Sequence, residues 1–277
     1  MSKFFSTLRN LFGVGSPALG DRGTPTFFVD IHSHIIPAID DGPSTIENVV
    51  KMLRGAHENG TREMVATPHM FQDLFDNSDP QTVKERFAET AAELEKQSTL
   101  PESSFLSDMT FYPGAENFIC REFLDALEAQ RVLTLNDSRY ILVEAPPYLS
   151  VIQMRYAVDR VIASNLRPII AHPERYLAFQ DRPNRIAEFL EKGCVIQVNG
   201  GSVLGIYGRK AKKASWNLLK NDLVHVVASD SHGSAVKAHD LGSVYSALRG
   251  KFKKSKLKLW LSVNPGSIVR NGPLVSL

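Results

Sequence analysis

Residues 27–42 read FFVDIHSHIIPAIDDG, and the rest of the chain takes its meaning from this stretch. Phe27–Ile31 is a short apolar run of the length expected for a strand buried on both faces. It hands over directly to His32-Ser33-His34 and then, past a short turn, to Asp40-Asp41-Gly42. Working outward, similar runs occur at Glu63–Thr67, Thr110–Gly114, Tyr140–Val143, Pro168–Ala171, Val195–Val198 and Val224–Ala228. Helical patterns lie between them at Ser44–Asn59, Pro80–Lys96, Ile152–Asn165 and Asn184–Lys192. Ser44 reads as the N-cap of the first, with Glu47 closing a capping box. Gly60, Gly193 and Gly208 read as stop or turn residues. Seven strands with intervening helices make a βα-repeating chain, either a barrel or an open parallel sheet.

Composition narrows the class without naming a function. The 277 residues carry 32 Lys+Arg against 30 Asp+Glu, a formal charge of +2, which argues against nucleic acid as the main partner. Two cysteines, Cys120 and Cys194, cannot build a disulfide framework and suit a reducing cytosol. No apolar run approaches the roughly 20 residues of a membrane-spanning helix. Residues 1–25 read as an N-terminal extension and linker ahead of one domain over 26–277. Within the extension, Phe4, Phe5, Leu8, Leu11 and Phe12 fall at helical spacing, so residues 1–12 could touch a membrane surface or a partner. The run KFKKSKLK at 251–258 reads as a solvated face.

The informative residues stand at or just past the strand ends. Beyond His32, His34 and Asp41, the second run leads to His69, the third to Glu116 and the fourth to Glu144. The fifth leads to His172 and Arg175, and the seventh to Asp230 and His232. Six of seven strands thus end in ligand-type residues, at the end where α/β barrels place their active sites. Alternate residues on a strand share a face, so His32 and His34 can reach one ion, and Asp230 and His232 repeat the spacing. Five imidazoles and four carboxylates are too many for one ion and suit a cluster of two or three. Nitrogen and oxygen donors without thiolate favour Mn²⁺, Fe or Zn²⁺. Four carboxylates offset only four of the six charges on three divalent ions. The remainder would attract a phosphate dianion and stabilise a phosphoryl transition state. Arg175 is placed to clamp phosphate oxygens in a two-pronged contact.

Other phosphatase chemistries lack their residues. Six residues after Cys120 and Cys194 stand Ala126 and Gly200, so the thiolate-and-arginine loop is missing. There is no Asp-x-Asp pair for an aspartyl-phosphate route and no Arg-His-Gly for a phosphohistidine one. His57, His225 and His239 read as structural. Asp30 reads as a residue orienting an imidazole and Asp40 as turn chemistry. Arg139 and Arg155 read as ion-pair partners or substrate contacts in equal measure. Phe71, Tyr148 and Tyr207 are loop aromatics that could line the mouth.

The segments DIHSHIIPAIDDGPST, ATPH, GAE, LNDSRYILVE, IIAHPERY, CVIQVNGGS and DLVHVVASDSH together resemble the polymerase-and-histidinol-phosphatase (PHP) superfamily. Within it they resemble the bacterial capsule and exopolysaccharide protein-tyrosine phosphatases, from about Phe28 to Val269. That resemblance implies a distorted (β/α)₇ TIM-like barrel and a manganese-supported cluster. It implies hydrolysis of phosphotyrosine on a partner bacterial tyrosine kinase; the localisation expected from the cysteines and residues 1–12 is cytoplasmic, in reach of the inner membrane face. One metal would take His32, His34, Glu116 and Asp230, and a second Asp41, His69 and His232. A third would share Glu116 and add Glu144 and His172. Arg175 falls on the family's phosphate-binding arginine, and Asp230 and His232 join it as catalytic. The family's Glu- and Arg-rich self-association motif is reduced here to Glu47 between Ile46 and Asn48, so a ring-like assembly is not carried over. Small-molecule phosphoesterases such as histidinol-phosphate phosphatase are the alternative within the superfamily.

Overall fold

The computed structural model describes residues 27–233 and 240–275. The membrane-contact expectation for residues 1–12 and the structural role expected of His239 lie outside these residues.

Nine strands are present among the described residues: β1 Phe28–Ser33, β2 Thr61–Ala66, β3 His69–Met70, β4 Thr110–Pro113, β5 Glu116–Phe118, β6 Tyr140–Glu144, β7 Arg167–Ala171, β8 Val195–Asn199 and β9 Val226–Ala228. The helices are α1 Ile46–Glu58, α2 Pro80–Ser98, α3 Arg121–Glu128, α4 Val151–Ala163, α5 Leu177–Gln180 and α6 Ala187–Glu191. Then come α7 Gly200–Leu204, α8 Gly208–Lys220, α9 Leu241–Leu248, α10 Lys254–Lys258 and α11 Asn264–Val269. All paired strands are parallel, in the orders β1-β2-β4 and β3-β5-β6-β7-β8-β9.

The two sheets arise because the chain just past the second and third expected runs forms two further short strands, β3 and β5. Pro68 separates β2 from β3, and Gly114-Ala115 separates β4 from β5. A proline has no N–H to give to the ladder, yet its carbonyl still accepts from Glu116 N at 3.0 Å. The other margins meet as well. Asp230 N donates to His32 O and His34 N donates to Ser231 O, both at 2.9 Å, so β1 lies beside the end of β9.

Side-chain alternation sorts each strand between two cores. Val29, Ile31, Tyr140, Leu142, Ile169, Val195 and Val226 face an inner cluster closed off by Ile268 and Val269 of α11. Ile141, Val143, Ile170, Ile196 and Val227 face outward to the helices. Strands covered on both sides must be apolar on both, which is why they read as unbroken runs.

Several local readings shift. The first helix begins one residue late: Thr45, not Ser44, is its N-cap, in extended conformation, with its hydroxyl accepting from Asn48 N. This places Glu47 in the first turn and Asn48 at the capping-box position. A capping box does occur at α4, where Ser150 and Gln153 exchange hydrogen bonds. The helix expected over 184–192 is a 3₁₀ turn, Pro183–Ile186, followed by α6. Gly208, at φ +90°, opens α8 rather than ending an element. The 251–258 run is largely solvated, with Leu257 buried and Phe252 packed on Trp260.

Candidate metal centre

All nine expected ligands lie at the C-terminal ends of the strands or just beyond. His32 is on β1, His69 on β3, Glu116 opens β5 and Glu144 closes β6. His172 directly follows β7, and Asp230 and His232 follow β9. His172 (φ 31°) and Asp230 (φ 54°) hold left-handed backbone conformations that cost a non-glycine residue about 1 kcal/mol each. The turn carrying Asp41 is pressed onto the site, since a Cβ at Gly42 would sit 2.7 Å from the His34 carbonyl oxygen. Only glycine lets that turn approach so closely.

Three groups of donor atoms converge. His32 Nε2 lies 3.2 Å from Glu116 Oε2 and 3.3 Å from Asp230 Oδ1. His34 Nε2 lies 3.4 Å from the same Asp230 oxygen and 3.7 Å from the same Glu116 oxygen. Asp41 Oδ1 stands 3.2 Å from His232 Nε2 and 3.5 Å from His69 Nε2, and His34 adjoins this second group. His69, Glu116 and Glu144 make the third, with His69 Nδ1 at 3.1 Å from Glu116 Oε2. His172 Nε2 reaches Glu116 Oε1 at 2.9 Å and Glu144 Oε1 at 3.8 Å. Thus the structure brings together all nine residues, with His34, His69 and Glu116 each adjoining two groups.

The test of whether ions fit is the hydrogen-bond bookkeeping. His32 Nε2, His34 Nε2 and Glu116 Oε2 are buried, converge on each other, and have no hydrogen-bond partner. Orphaned buried polar atoms are rare, and clustered ones point to a cation. The far nitrogens of three rings are all engaged. His32 Nδ1 donates to Gln197 Oε1 at 3.1 Å, His34 Nδ1 to Asp40 Oδ2 at 2.7 Å, and His232 Nδ1 to the Asp230 carbonyl at 3.0 Å. Each acceptor fixes the tautomer that leaves the Nε2 lone pair aimed inward. Donor types, closeness and tautomers all fit divalent ions held by nitrogen and oxygen.

Electrostatics agree. Burial opposes charge on His32, but the Glu116 and Asp230 carboxylates push it up to about 10. Burial likewise opposes charge on His69, yet Glu116 and Glu144 raise it to about 9. Glu116 and Asp230 are desolvated, and the surrounding imidazoles nonetheless hold both well below the carboxylate range. Burial and the neighbouring Glu116 raise Glu144 to about 8. In His172, burial and then Arg175 push the imidazole down to about 4, so it stays neutral.

Arg175 sits at the edge of the cluster, donating to Asp230 Oδ2 at 3.0 Å, with its guanidinium 4.6 Å from the centre of the Tyr207 ring. It faces a cavity of about 670 Å³ lined by Asp41, His69, Glu144, Tyr207 and His232. Of the loop aromatics, Tyr207 is therefore in the mouth. Phe71 is not: it is buried and packs on Phe123. Tyr148 is 80% exposed on the loop after β6. Arg155 pairs with Glu188, and Arg139 caps the opposite end against Gly272 O, so neither reaches the site.

The two aspartates exchange their expected roles. Asp30 accepts from backbone, His32 N at 3.3 Å and Ser229 N at 3.0 Å, and ties β1 to the end of β9. Asp40 orients the His34 imidazole and also accepts from Gly42 N and His69 N. Backbone proximity across the strand ends, which spacing alone does not reveal, decides the exchange. Sequence reasoning also passed over Gln197, Asn199 and Gln72. Asn199 donates to Asp230 Oδ2 at 2.5 Å, and Gln72 Nε2 donates to Glu144 Oε2 at 2.7 Å. Asn199 ends β8, the sixth run of the sequence and the one without a ligand at its end, and that position was its signal.

Known proteins carry the same arrangement of sequence. The family described as capsular polysaccharide synthesis, CpsB/CapC, matches residues 28–270. Tyrosine-protein phosphatase CpsB of Streptococcus pneumoniae is 31% identical over 87% of this chain and 98% of its own length. Tyrosine-protein phosphatase YwqE of Bacillus subtilis is 33% identical over 88% of this chain and 92% of its own. Among solved structures, one from the work describing YwqE and CpsB as unique metal-dependent tyrosine phosphatases superposes with a TM-score of 0.77. It is 29% identical, covering 90% of this chain and 97% of the other. With the matched span running from the first strand to α11, the chain belongs to the CpsB/CapC capsular polysaccharide synthesis family.

Proposed function

We propose that this chain is a metal-dependent protein-tyrosine phosphatase acting on a bacterial tyrosine kinase that controls capsule or exopolysaccharide synthesis. The reading is carried by one observation: buried Nε2 atoms of His32 and His34 and Oε2 of Glu116 converge without partners, next to Arg175. The assignment is His32, His34, Glu116 and Asp230 to one ion, Asp41, His69 and His232 to a second, and Glu116, Glu144 and His172 to a third. Mn²⁺ is the metal of choice for this all-nitrogen-and-oxygen set. Bound ions supply a water of lowered pKa and positive charge for the phosphoryl oxygens.

The chain's own residues do the rest. Arg175 is cationic and partly solvent-facing, and its guanidinium takes two phosphate oxygens while Tyr207 holds its plane. Asn199 also donates to the outer oxygen of Asp230, which holds that carboxylate in place when Arg175 turns to substrate. Asp230 and His232 flank the reacting phosphate at the end of β9. The sheet order, with β9 bridged to β1, supports a distorted (β/α)₇ barrel whose mouth is this site.

The test is side-by-side turnover of phosphotyrosyl and phosphoseryl peptides by metal-stripped and Mn²⁺-loaded protein, with Arg175→Ala alongside. Loaded protein should prefer phosphotyrosine and stripped protein should be inactive. Arg175→Ala should keep its metal through Asn199 and lose about 30- to 1000-fold in kcat/KM, roughly 2–4 kcal/mol. Undiminished turnover without metal would end the reading, and equal peptide rates would point to a small-molecule phosphoesterase.

A further inference from the structure

A second, smaller cavity of about 260 Å³ adjoins the metal centre. Its inner end is common to the larger one, because Glu144, His172, Arg175 and Tyr207 line both. A phosphate held at Arg175 therefore has two directions in which to send the group it carries. Beyond the common residues the two spaces differ in chemistry. The larger continues over the ionisable ligands Asp41, His69, Glu116, Asp230 and His232. The smaller continues over Ala145, Pro147, Tyr176, Gln180 and Ala211, none of which carries charge. Ala145, Tyr176 and Ala211 are buried and Pro147 is exposed, so the smaller space runs inward from a Pro147 rim. The Tyr176 hydroxyl is spent inside the fold, donating to the Ala171 carbonyl at 2.7 Å and accepting from Ala145 N at 2.9 Å. It has no donor left for a ligand. On the other side, Ala211 is the residue of α8 that lines the cavity, and it belongs to the buried face of that helix.

Uncharged walls with a guanidinium at the inner end match a phosphate dianion carried on an aromatic ring. An apolar cavity of about 150 Å³ is enough to take up benzene, so the space here holds a phenyl ring with room to spare. Placing the ring there removes apolar surface from water, whereas placing it among the ligands would displace water from charged groups. A serine or threonine ester has no ring to fill the space and gains nothing from it. Resting on the phosphatase reading above, we propose that this side cavity is the aryl subsite, taking the tyrosine ring of the substrate, and that Ala211 sets its size. A longer side chain at 211 would occupy the space of the ring and leave the phosphate position at Arg175 untouched.

The test compares Mn²⁺-loaded wild type and Ala211→Leu by calorimetric binding of phenylphosphonate and methylphosphonate, which share a head group and differ in the ring. Wild type should bind phenylphosphonate the more tightly. In Ala211→Leu its Kd, and KM for a phosphotyrosyl peptide, should rise about 10- to 200-fold, the range for a mismatch of a methylene or so in an apolar pocket. Methylphosphonate affinity should stay within about twofold, and metal content should be unchanged. An unchanged phenylphosphonate Kd in the variant would place the ring in the open mouth and overturn the proposal. An equal loss of both phosphonates overturns it too, because the cavity would then not discriminate the ring. If Ala211→Leu does not fold, Gln180→Ala decides. Widening the cavity should raise kcat/KM on 2-naphthyl phosphate relative to phenyl phosphate by about tenfold, and an unchanged ratio sinks the idea. The two readings fail separately. Wild type that hydrolyses no aryl phosphate removes the phosphatase reading, whereas active wild type that binds both phosphonates equally removes only the aryl subsite.

Discussion

The two ends of the same strands bury charge in opposite ways. Near the start of β2, Glu63 is 6% exposed, and both its oxygens accept from Arg270 Nη2 at 2.6 and 2.8 Å, with the Tyr112 hydroxyl donating at 3.1 Å. Past the end of β2, His32, His34, His69 and Glu116 are as deeply placed, yet several of their inward atoms have no partner. The lower network is complete and ties α11 to the sheet. The upper one is incomplete as protein alone. A buried polar group left unpaired costs about 1–3 kcal/mol, so the upper end is built for something that protein atoms do not supply. One set of strands thus carries a fold-holding ion pair at one end and a metal-capable His/Asp/Glu cluster at the other.

The largest expected contrast comes from removing one carboxylate from each end. Glu116→Ala should lower turnover by at least about 1000-fold, because Glu116 oxygens serve two of the three donor groups. Elemental analysis should show metal lost in parallel. Near-normal turnover would mean that the cluster is assigned wrongly.

Glu63→Ala should do the reverse. It strands Arg270 and Tyr112, and breaking a largely buried pair costs about 2–4 kcal/mol of stability, discounted because Arg270 is 28% exposed. Denaturant midpoints should fall while metal content and kcat per folded molecule hold. A drop in metal affinity without a drop in stability would erase the distinction between the two ends.

How much of this contrast could be read from sequence depends on its range. The upper end was legible because each ligand abuts its own strand, so His69, Glu116 and His172 announce themselves by position. The lower end was not. Glu63 opens one of the strand runs, and its partner Arg270 lies 207 residues away, so nothing local links them. The roles of Asp30 and Asp40 failed for the same reason, since both depend on which backbone the strand ends bring near. The seven expected runs were right in place but not in number: β3 and β5 lie past Pro68 and Gly114, beyond the ends of the second and third runs, where apolar patterning marks no strand. Gln197 shows the limit most plainly, because a neutral amide on a buried strand carries no signal until His32 is placed 3.1 Å away.

The smallest effect, and the one that best separates the ends, is on pH. Without metal, burial works against charge on His32 and His69, yet the carboxylates lift them to about 10 and about 9, so both hold protons at pH 7. Both are raised above the ordinary imidazole value, so the stability they lend the metal-free fold is fully present below about pH 6.5 and fades as pH rises through 9 to 10. Metal must displace those protons, so affinity runs the opposite way and strengthens with pH. Calorimetric titration of Mn²⁺ at pH 7 in two buffers of different ionisation enthalpy should register about three protons released per molecule, from His32, His69 and Glu144, which is raised to about 8. Thermal melts between pH 7 and 9 should slope downward in chelator and upward at fixed Mn²⁺. In Glu63→Ala the proton count should be unchanged, because the lower network contributes no imidazole. Zero protons released in the wild type would show that His32 and His69 are not protonated in the metal-free cage.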